Sequence, residues 1–346
     1  MASYIGESGS FSLMKNLNLE KVYRTIVLNA PISRADISRY TGLNKVTVSN
    51  CIKDLIAADI VSEEGIVSAE NGRPPMMLML SRTCGIIIGL EISSISTNII
   101  VTDLRGNLLD KTVRDPKMYT PEETVELLKK QIEESVQKFN TTNGVIGIGI
   151  ALPINYNEMD DEEPDIKLDG WKGLDAKNFF DTAFPDINIE VLNSAAAGTI
   201  GEIHFGSANP DSYLAYFHGN WNLKMDIYSG GTTLSNVTDF QGKIGRVLFD
   251  NKEGKMTKEF DDVASMKALV NKLYPSTSKS RLEIVNEIHE RQKKGDKEVE
   301  EALKDMTIFL AYGLYDVIQI FKPDAICIGG YLGSLLAEGK MEALLN

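Results

Sequence analysis

Apolar residues near the start of the chain recur every three or four positions, which is the spacing of an amphipathic helix. Leu19, Val22, Ile26 and Val27 fall on one face of a helix predicted over residues 17–28. We expect this helix to pack beneath the two shorter helices that follow it, so its part in the protein is structural.

Two short helices with a glycine between them are predicted within residues 31–55. Ser33 can cap the first helix, and Asp36, three residues later, completes a variant of the capping box. Gly42 lies in the turn, and Asn44 can cap the second helix. The second helix buries one face, because its apolar residues recur at helical spacing: Val48, Ile52, Leu55 and Ile56. The pattern predicts a helix-turn-helix.

The opposite face of the second helix is short and polar. Its side chains can hydrogen-bond to base edges or phosphates in a major groove, with Asn50 favoured as a reader of adenine. The residues of this region that we predict to contact double-stranded DNA are Ser33, Arg34, Asn44, Lys45, Thr47, Ser49, Asn50 and Lys53. The alternative is a three-helix bundle with a solvated polar face.

A hairpin is predicted after the second helix. Residues 60–61 and 76–80 can pair as two strands, and residues 68–75 join them. Gly72 and two prolines would hold Arg73 at the tip, where a guanidinium can enter a minor groove and read its width. A solvated loop arginine is the alternative. Such a hairpin is the wing of a winged helix-turn-helix domain, which we place at residues 13–82.

From Cys84 onward, the pattern predicts an α/β fold in which short strands alternate with helices. Predicted strands cover residues 84–92, 97–104, 108–113, 144–152, 187–192, 213–218, 223–228, 232–238 and 325–328. Predicted helices cover residues 121–139, 175–183, 194–205 and most of 263–321. The expected architecture is a mixed sheet with covering helices, wound twice.

Composition is that of a globular protein with two or three domains. The chain has 346 residues, of which 43% are hydrophobic and 25% charged. It contains no apolar run of about 18 residues, and its N-terminus lacks the features of a signal peptide, so we expect a cytoplasmic protein without membrane contact. Cys51, Cys84 and Cys327 lie far apart in apolar stretches, which favours buried free thiols.

The net charge of −13 is unevenly divided along the chain. Residues 12–82 carry nine of the 36 basic and seven of the 49 acidic residues, a net charge of +2, which leaves −15 for the remainder. A nearly neutral small domain on an acidic body suits a repressor, because the body would be held away from phosphate. An acidic enzyme with an N-terminal extension would give the same totals.

Several segments carry a resemblance to a known family. The predicted winged helix-turn-helix, which includes ISRADISRYTGLNKVTVS, is followed by GIGIALP, DGW, VLNSAAAGTIGE and LAYGLYDVIQIFKPDAICIGG. This order resembles the ROK family of repressors and sugar kinases, from about Leu13 to the end of the chain. The resemblance implies that residues 83–346 form a two-lobed, actin-like domain of the ribonuclease H-like, sugar-kinase type, which serves as an effector and dimerisation domain.

Some members of that family phosphorylate hexoses with ATP, and others sense sugars and control sugar-utilisation operons. The family's first phosphate loop, Asp-x-Gly-Gly-Thr, aligns with residues 91–95, where Ser93 and Ser94 replace the two glycines. The second phosphate loop retains only Gly219 and has Trp221 where open space is needed. Added side chains at these points should obstruct the phosphates of a nucleotide.

The catalytic base and the zinc ligands of the family are also missing. Ser194 stands in place of the aspartate that takes a proton from the sugar, and a neutral serine is a poor general base. The zinc motif aligns with residues 245–254, but no cysteine lies between Cys84 and Cys327, which excludes thiolate coordination there. We therefore expect no catalysis, and neither a nucleotide nor a metal as cofactor.

The same alignment suggests an effector site. A family glutamate that accepts hydrogen bonds from sugar hydroxyls is replaced by Arg246, whose guanidinium only donates. With Asn193 retained to bind a hydroxyl, Arg246 would favour an anionic group, as in a sugar phosphate or sugar acid. In the alternative, Arg246 pairs with a local acid such as Asp250, and the site is empty.

The sequence thus predicts a non-enzymatic transcriptional regulator, a repressor of sugar-utilisation genes that binds a palindromic operator as a homodimer. A kinase-like domain that has lost catalysis would sense a sugar or a sugar-derived ligand. Two alternatives remain: a residual ATP-dependent sugar kinase, and a DNA-binding module that works without a ligand. Assays of nucleotide consumption with a panel of hexoses separate the first alternative from a regulator.

Overall fold

The computed structural model describes residues 7–65, 76–117, 119–153, 170–171, 173–209, 212–237, 242–250 and 256–338. The tip of the predicted wing, with Arg73, lies outside them. The chain divides into two compact units. The first unit comprises Met1–Ile88, Val101–Asp110 and Lys130–Gly147, and the second comprises Gly89–Ile100, Lys111–Lys129 and Ile148–Asn346.

The first unit begins with three helices and a hairpin. These are α1 (Glu7–Asn29), α2 (Arg34–Thr41), α3 (Lys45–Ala57), β1 (Val61–Gly65) and β2 (Met76–Leu80). The strands β1 and β2 are antiparallel, with Val61 opposite Leu80. The predicted first helix is longer than expected and starts at Glu7. One apolar cluster joins all five elements, and its fully buried members include Val22, Ile26, Ile37, Ile52 and Leu78.

Local capping explains where α2 begins and ends and where α3 begins. The Ser33 hydroxyl accepts a hydrogen bond from the Asp36 amide at 3.2 Å, and Asn44 Oδ1 accepts one from the Thr47 amide at 2.8 Å. Gly42 ends α2 with φ at 69°, a conformation that a side chain would strain. The two helices predicted on either side of Gly42 are therefore confirmed.

Five strands form one sheet in the order β5-β4-β3-β6-β7. The elements of this part of the chain are β3 (Ile86–Ile92), β4 (Thr97–Asp103), β5 (Leu108–Arg114), α4 (Pro121–Lys138), β6 (Val145–Leu152), α5 (Ala176–Ala183), β7 (Asn188–Asn193) and α6 (Ser194–Phe205). Each predicted strand and helix here is present, with bounds shifted by one or two residues. The expected α/β class is confirmed.

A second sheet has the order β10-β9-β8-β13, with β8 antiparallel to β9 and parallel to β13. Its region contains β8 (Leu214–Gly219), β9 (Leu223–Ser229), β10 (Thr232–Thr233), α7 (Leu234–Val237), β11 (Leu248–Asp250), β12 (Met256–Glu259), α8 (Asp261–Ala264), α9 (Met266–Leu273), α10 (Arg281–Lys293), α11 (Lys297–Phe321), β13 (Ala325–Gly329) and α12 (Gly330–Glu338). Phe260, which is fully buried, packs among α8 to α12. None of the described helices is long and apolar enough to cross a membrane.

The strand predicted over residues 232–238 is wrong. The strand β10 ends at Thr233, and α7 follows at once. The buried Asp226 of β9 explains the turn, because its carboxylate accepts hydrogen bonds from the Ser235 amide at 3.3 Å and the Ser235 hydroxyl at 2.6 Å. The backbone amide of Ser235 is thereby withdrawn from strand pairing.

Candidate nucleic-acid interface and ligand pocket

The outward face of α3 carries the residues predicted to contact DNA. Asn44, Lys45, Asn50 and Lys53 are exposed, whereas Thr47 and Ser49 are partly buried. The backbone amide of Thr47 donates to Asn44 Oδ1 in the first turn of α3. The face therefore offers two amides, one of which caps the helix, and two ammonium groups.

Val46 is a candidate that the sequence reasoning missed. Its side chain is 70% exposed in the first turn of α3, and it precedes Asn50 and Lys53 by four and seven residues. Residues at this spacing share one helix face. An exposed branched methyl side chain beside polar base readers suits the methyl group of thymine. The signal was present in the sequence, since Val46 is an apolar residue on an otherwise polar face.

The start of α2 is tied to the hairpin. Ser33 caps the helix, and its hydroxyl also donates to Asp36 at 2.7 Å. Arg34 forms an ion pair with Glu63 of β1, with Nη2 at 2.6 Å and Nε at 3.1 Å from the same carboxylate oxygen. Arg34 thus links the helix pair to the strands. In the predicted DNA contact, its guanidinium would bind DNA and Glu63 at the same time.

The base of the hairpin is anchored by Asp59, which has φ at 55°. Its carboxylate accepts hydrogen bonds from Thr142 at 2.7 Å, Ser81 at 2.9 Å and Thr83 at 3.1 Å. The hydrogen bonds from Thr142 and Ser81 hold the pKa of Asp59 below its usual range. Segments far apart in sequence are therefore joined at one carboxylate within the first unit.

Arg105, in the turn between β4 and β5, supports the other side of the hairpin. Its Nε donates to the carbonyl oxygen of Leu80 at 2.5 Å, and its Nη2 donates to Ser62 at 3.2 Å. The same guanidinium forms an ion pair with Glu64. The two strands are thus bonded to the β4–β5 turn as well as to each other, so displacement of this turn would displace the hairpin.

In the second unit, Glu91 lies at the centre of a polar cluster. Its carboxylate accepts hydrogen bonds from the side-chain amides of Asn98 at 2.9 Å and Asn220 at 3.1 Å. Nε2 of His218 lies 3.4 Å from Glu91 Oε1, which suits an ion pair but is long for a hydrogen bond. Burial raises the pKa of Glu91, but the nearby imidazole and amides outweigh it, so the net shift is downward.

His218 and Trp221 border a pocket of about 320 Å³, counted to its open mouth. Its lining consists of Ser93, Ser94, Pro153, Ser194, His218, Asn220, Trp221, Asn222 and Lys224. Neither ring nitrogen of His218 has a hydrogen-bond partner among the described residues. The pocket brings together the two segments that resemble phosphate loops and the serine in the place of the catalytic base.

The pocket does not fit a nucleoside triphosphate. The Ser93 hydroxyl donates to the Ser96 carbonyl at 2.9 Å and accepts from the Ser96 amide at 3.1 Å, so the turn closes on its own side chain. Trp221 is 8% exposed and belongs to the same apolar cluster as Ile95. The Arg281 guanidinium stacks 3.8 Å from the indole centroid. The Ser93 side chain and the Trp221 indole thus occupy the places where a phosphate requires open glycine amides.

Ser194 and Asn193 are both occupied by the local fold. The buried Ser194 hydroxyl donates to the carbonyl oxygen of Leu152 at 2.9 Å. A neutral hydroxyl is a poor general base for taking a proton from a sugar. Asn193 Oδ1 accepts from the Ala196 amide at 2.8 Å and caps α6.

Arg246 does not line this pocket, and neither does Asn193. The guanidinium is about half exposed, and its Nε lies 2.8 Å from Glu259 on β12. The structure thus gives Arg246 an acidic neighbour other than the Asp250 considered from the sequence. Its role as an anion reader stays a prediction, and an anion would have to compete with Glu259.

Of residues 245–254, which align with the family's zinc motif, residues 251–254 lie outside the described residues. No group of three or more His, Cys, Asp and Glu side chains converges in the part of the chain that the structure describes. Cys51 and Cys84 are buried free thiols as predicted, whereas Cys327 is a free thiol that is only partly buried. The donor set for a tetrahedral thiolate site is therefore missing from these residues.

Comparison with known proteins gives consistent matches over most of the chain. A model described as the ROK family matches residues 87–343. A xylose repressor from Bacillus spizizenii is 28% identical over 325 residues, which are 92% of this chain and 83% of that repressor. The family model covers the α/β part, and the match to the repressor, at 92% of this chain, extends beyond it.

Two solved structures share the fold. A ROK family transcriptional regulator, a homologue of the E. coli MLC protein, matches with a TM-score of 0.68 at 21% identity, over 94% of this chain and 86% of its own. A ROK family glucokinase from Streptomyces griseus, in complex with glucose and AMPPNP, matches with a TM-score of 0.55 at 18% identity, over 76% of this chain and 90% of its own. Regulators and kinases therefore share this α/β fold.

Proposed function

The chain belongs to the ROK family, and we propose that it is a DNA-binding transcriptional repressor of sugar-utilisation genes that responds to a sugar-derived effector. The observation that carries the proposal is the exposed face of α3, a capped helix with Asn50 and Lys53 on its surface. The preceding helix, α2, is linked to the hairpin by the ion pair of Arg34 and Glu63. The similarity to a xylose repressor over 92% of the chain supports it.

The DNA-binding part is a winged helix-turn-helix at residues 13–82, in which α3 is the recognition helix and β1 and β2 carry the wing. This assignment rests on the order of three helices and an antiparallel hairpin around one apolar core. The remainder, residues 83–346, is a two-lobed effector and dimerisation domain. The contacts of Asp59 and Arg105 attach the wing to segments of that domain, which offers a route from effector binding to the DNA-binding surface.

The protein acts on DNA as a homodimer. Helix-turn-helix dimers read two half-sites separated by whole helical turns, so the operator is expected to be palindromic. The acidic remainder of each chain, with a net charge of −15 outside residues 12–82, keeps phosphate contacts confined to the small domain.

The kinase-like body does not catalyse phosphoryl transfer. The argument rests on the closed Ser93 turn, the packed indole of Trp221 and the neutral Ser194, which remove phosphate binding and the base from one reaction. Loss of a base alone lowers such a rate by about 10²–10⁴-fold.

The rival function, a residual sugar kinase, predicts a nucleotide site. We expect calorimetric titration of the full chain with ATP and Mg²⁺ to give no heat of binding, and a coupled assay with a hexose panel to show no nucleotide consumption. A ROK sugar kinase under the same conditions is the positive control. A micromolar ATP site would contradict the proposal and restore the kinase.

The effector is proposed to be a sugar phosphate or sugar acid held by Arg246 and Asn193. In calorimetric titrations with matched neutral and phosphorylated sugars, the wild type should bind the anionic form more tightly, because charge-assisted hydrogen bonds to a guanidinium are strong. Arg246→Glu should reverse that preference. Lys258→Glu, an exposed change of equal charge on the hairpin that follows Arg246, is the control. A wild type that prefers the neutral sugar excludes Arg246 as the anion reader.

A further inference from the structure

Val46 lies at the most outward position of α3. The inner side of this helix is defined by its four buried residues, Val48, Cys51, Ile52 and Leu55. With about 3.6 residues per turn, Val46 falls opposite the middle of that side. Its side chain is 70% exposed. The outermost point of the proposed recognition helix is therefore a branched hydrocarbon and not a polar group.

Neither the core nor the helix itself explains a valine at this position. A β-branched side chain loses rotamer freedom in a helix, and alanine is a better helix former at an exposed position. A single exposed apolar side chain is common on protein surfaces, so exposure alone indicates no function. Val46 differs because Asn50 and Lys53 follow it on the same helix face, four and seven residues later. A methyl-bearing side chain thus lies in line with a predicted base reader and a predicted phosphate contact.

The charges of α3 indicate that this face binds an anionic partner. Lys45 and Lys53 are exposed. Asp54 is the one acidic residue of the helix, and its carboxylate forms an ion pair with Lys15 of α1 at 2.9 Å. The face thus presents positive charge around an apolar centre. Duplex DNA matches both properties, because its phosphates are anionic and the 5-methyl group of thymine is an apolar group in its major groove.

The spacing along α3 limits where that thymine lies. Four residues separate Val46 from Asn50, which corresponds to a rise of about 6 Å along the helix axis. Successive bases of one strand are about 3.4 Å apart along the duplex. When the helix axis follows the groove, the two side chains therefore reach base pairs that are one or two steps apart.

We propose that Val46 determines specificity in each half-site by contacting the 5-methyl group of a thymine, one or two base pairs from the adenine that Asn50 reads. The inference rests on the proposed function and names a base that this site selects. Burial of the methyl group against Val46 favours thymine over cytosine without a hydrogen bond at that pair. Removal of the methyl group alone, with base pairing unchanged, should therefore lower the affinity.

Replacement of single thymines by uracil tests the proposal, because uracil lacks the methyl group and pairs in the same way. The DNA is an operator selected from random duplexes, and fluorescence anisotropy measures binding of the full chain. At one thymine, the wild type should lose about fourfold in affinity per half-site, as expected for one buried methyl group. Val46→Ala should bind the thymine operator more weakly than the wild type does, and uracil at that position should cause no further loss. Such non-additivity identifies a direct contact.

A second pair of duplexes isolates the methyl group on a different base. With a C·G pair at the same position, 5-methylcytosine should bind the wild type about fourfold more tightly than cytosine, because the added methyl group again lies in the major groove. Val46→Ala should bind the two duplexes equally. Val46→Ile, which keeps the branch at Cβ, should retain the preference for the methylated base.

Leu28→Ala is the control for the loss of an exposed apolar side chain. Leu28 is 59% exposed on α1 and lies outside the predicted DNA contacts, so this variant should respond to uracil as the wild type does. Urea unfolding of each variant shows that it remains folded.

The inference and the proposed function fail in different ways. Suppose that the wild type selects one sequence, but no thymine in its half-sites is sensitive to uracil, or the sensitivity persists in Val46→Ala. The inference is then wrong, and the repressor function stands. If the wild type binds every DNA sequence equally, the proposed function itself is wrong, and the inference falls with it.

Discussion

Ile52→Ala should destabilise the N-terminal helical core by about 2–5 kcal/mol and abolish specific DNA binding. Ile52 is fully buried on α3, in the cluster that also holds Ile37, Val48 and Leu78. Truncation removes apolar contacts from both neighbouring helices and from the hairpin, and the cavity cannot collapse without moving a capped helix. The loss is large because domains are stable by only about 5–15 kcal/mol.

Ile56→Ala is the matched control for this variant. Ile56 lies on the same helix and has the same side chain, but it is 37% exposed. Its truncation should cost a small fraction of the Ile52 loss, and operator binding should persist. Urea unfolding followed by far-ultraviolet circular dichroism measures both losses, with DNA binding read by fluorescence anisotropy. Equal losses would show that α3 does not pack as described. Because the chain has two compact units, each unfolding transition that appears in urea is fitted on its own.

Asn50→Ala should weaken operator binding by about 1–3 kcal/mol and relax the sequence preference at one base pair, since an amide can bond an adenine edge through two hydrogen bonds. Lys53→Ala should instead weaken binding to all sequences and reduce the salt dependence by about one counterion. Both side chains are exposed on α3, so neither change should alter folding.

Anisotropy titrations on operator and on random DNA, each at several salt concentrations, measure this pair of variants. Lys21→Ala, an exposed lysine on α1, is the control for a general loss of positive charge. Equal losses on operator and random DNA for both variants would remove Asn50 as a base reader.

The sequence predicted the features that depend on residues close together in the chain. The caps at Ser33 and Asn44 need only the next three residues, and Gly42 needs only its own backbone. The alternation of strands and helices after Cys84 follows from local periodicity, and the structure has each element where the pattern placed it, apart from residues 232–238.

The features that the sequence did not reveal depend on partners distant in the chain. The strand expected beyond Thr233 turns into a helix because Asp226, nine residues before Ser235, binds that serine. The carboxylate of Asp59 accepts a hydrogen bond from Thr142, which is 83 residues away, and no local sequence pattern predicts such a contact. Arg246 finds Glu259 across a hairpin for the same reason. Val46 was missed for a different reason, since the polar face was read without its one apolar member.

The ligand pocket shows the same division. Serines in place of glycines, and the indole of Trp221, were visible as obstacles to phosphate in the sequence. That Ser93 closes its own turn and that Arg281 stacks on the indole depends on folded geometry. The cluster of Glu91, Asn98, His218 and Asn220 was not foreseen, because its members come from four strands or turns of the second unit.

Selection of bound sequences from a random pool of double-stranded DNA by the full chain tests the central claim, that this protein is a sequence-specific DNA-binding regulator. The account predicts enrichment of one palindromic motif, with half-sites separated by a whole number of helical turns of about 10 base pairs. Asn50→Ala should lose information at one position of each half-site. A pool that stays random after repeated rounds, with binding that depends only on DNA length and salt, would contradict the account.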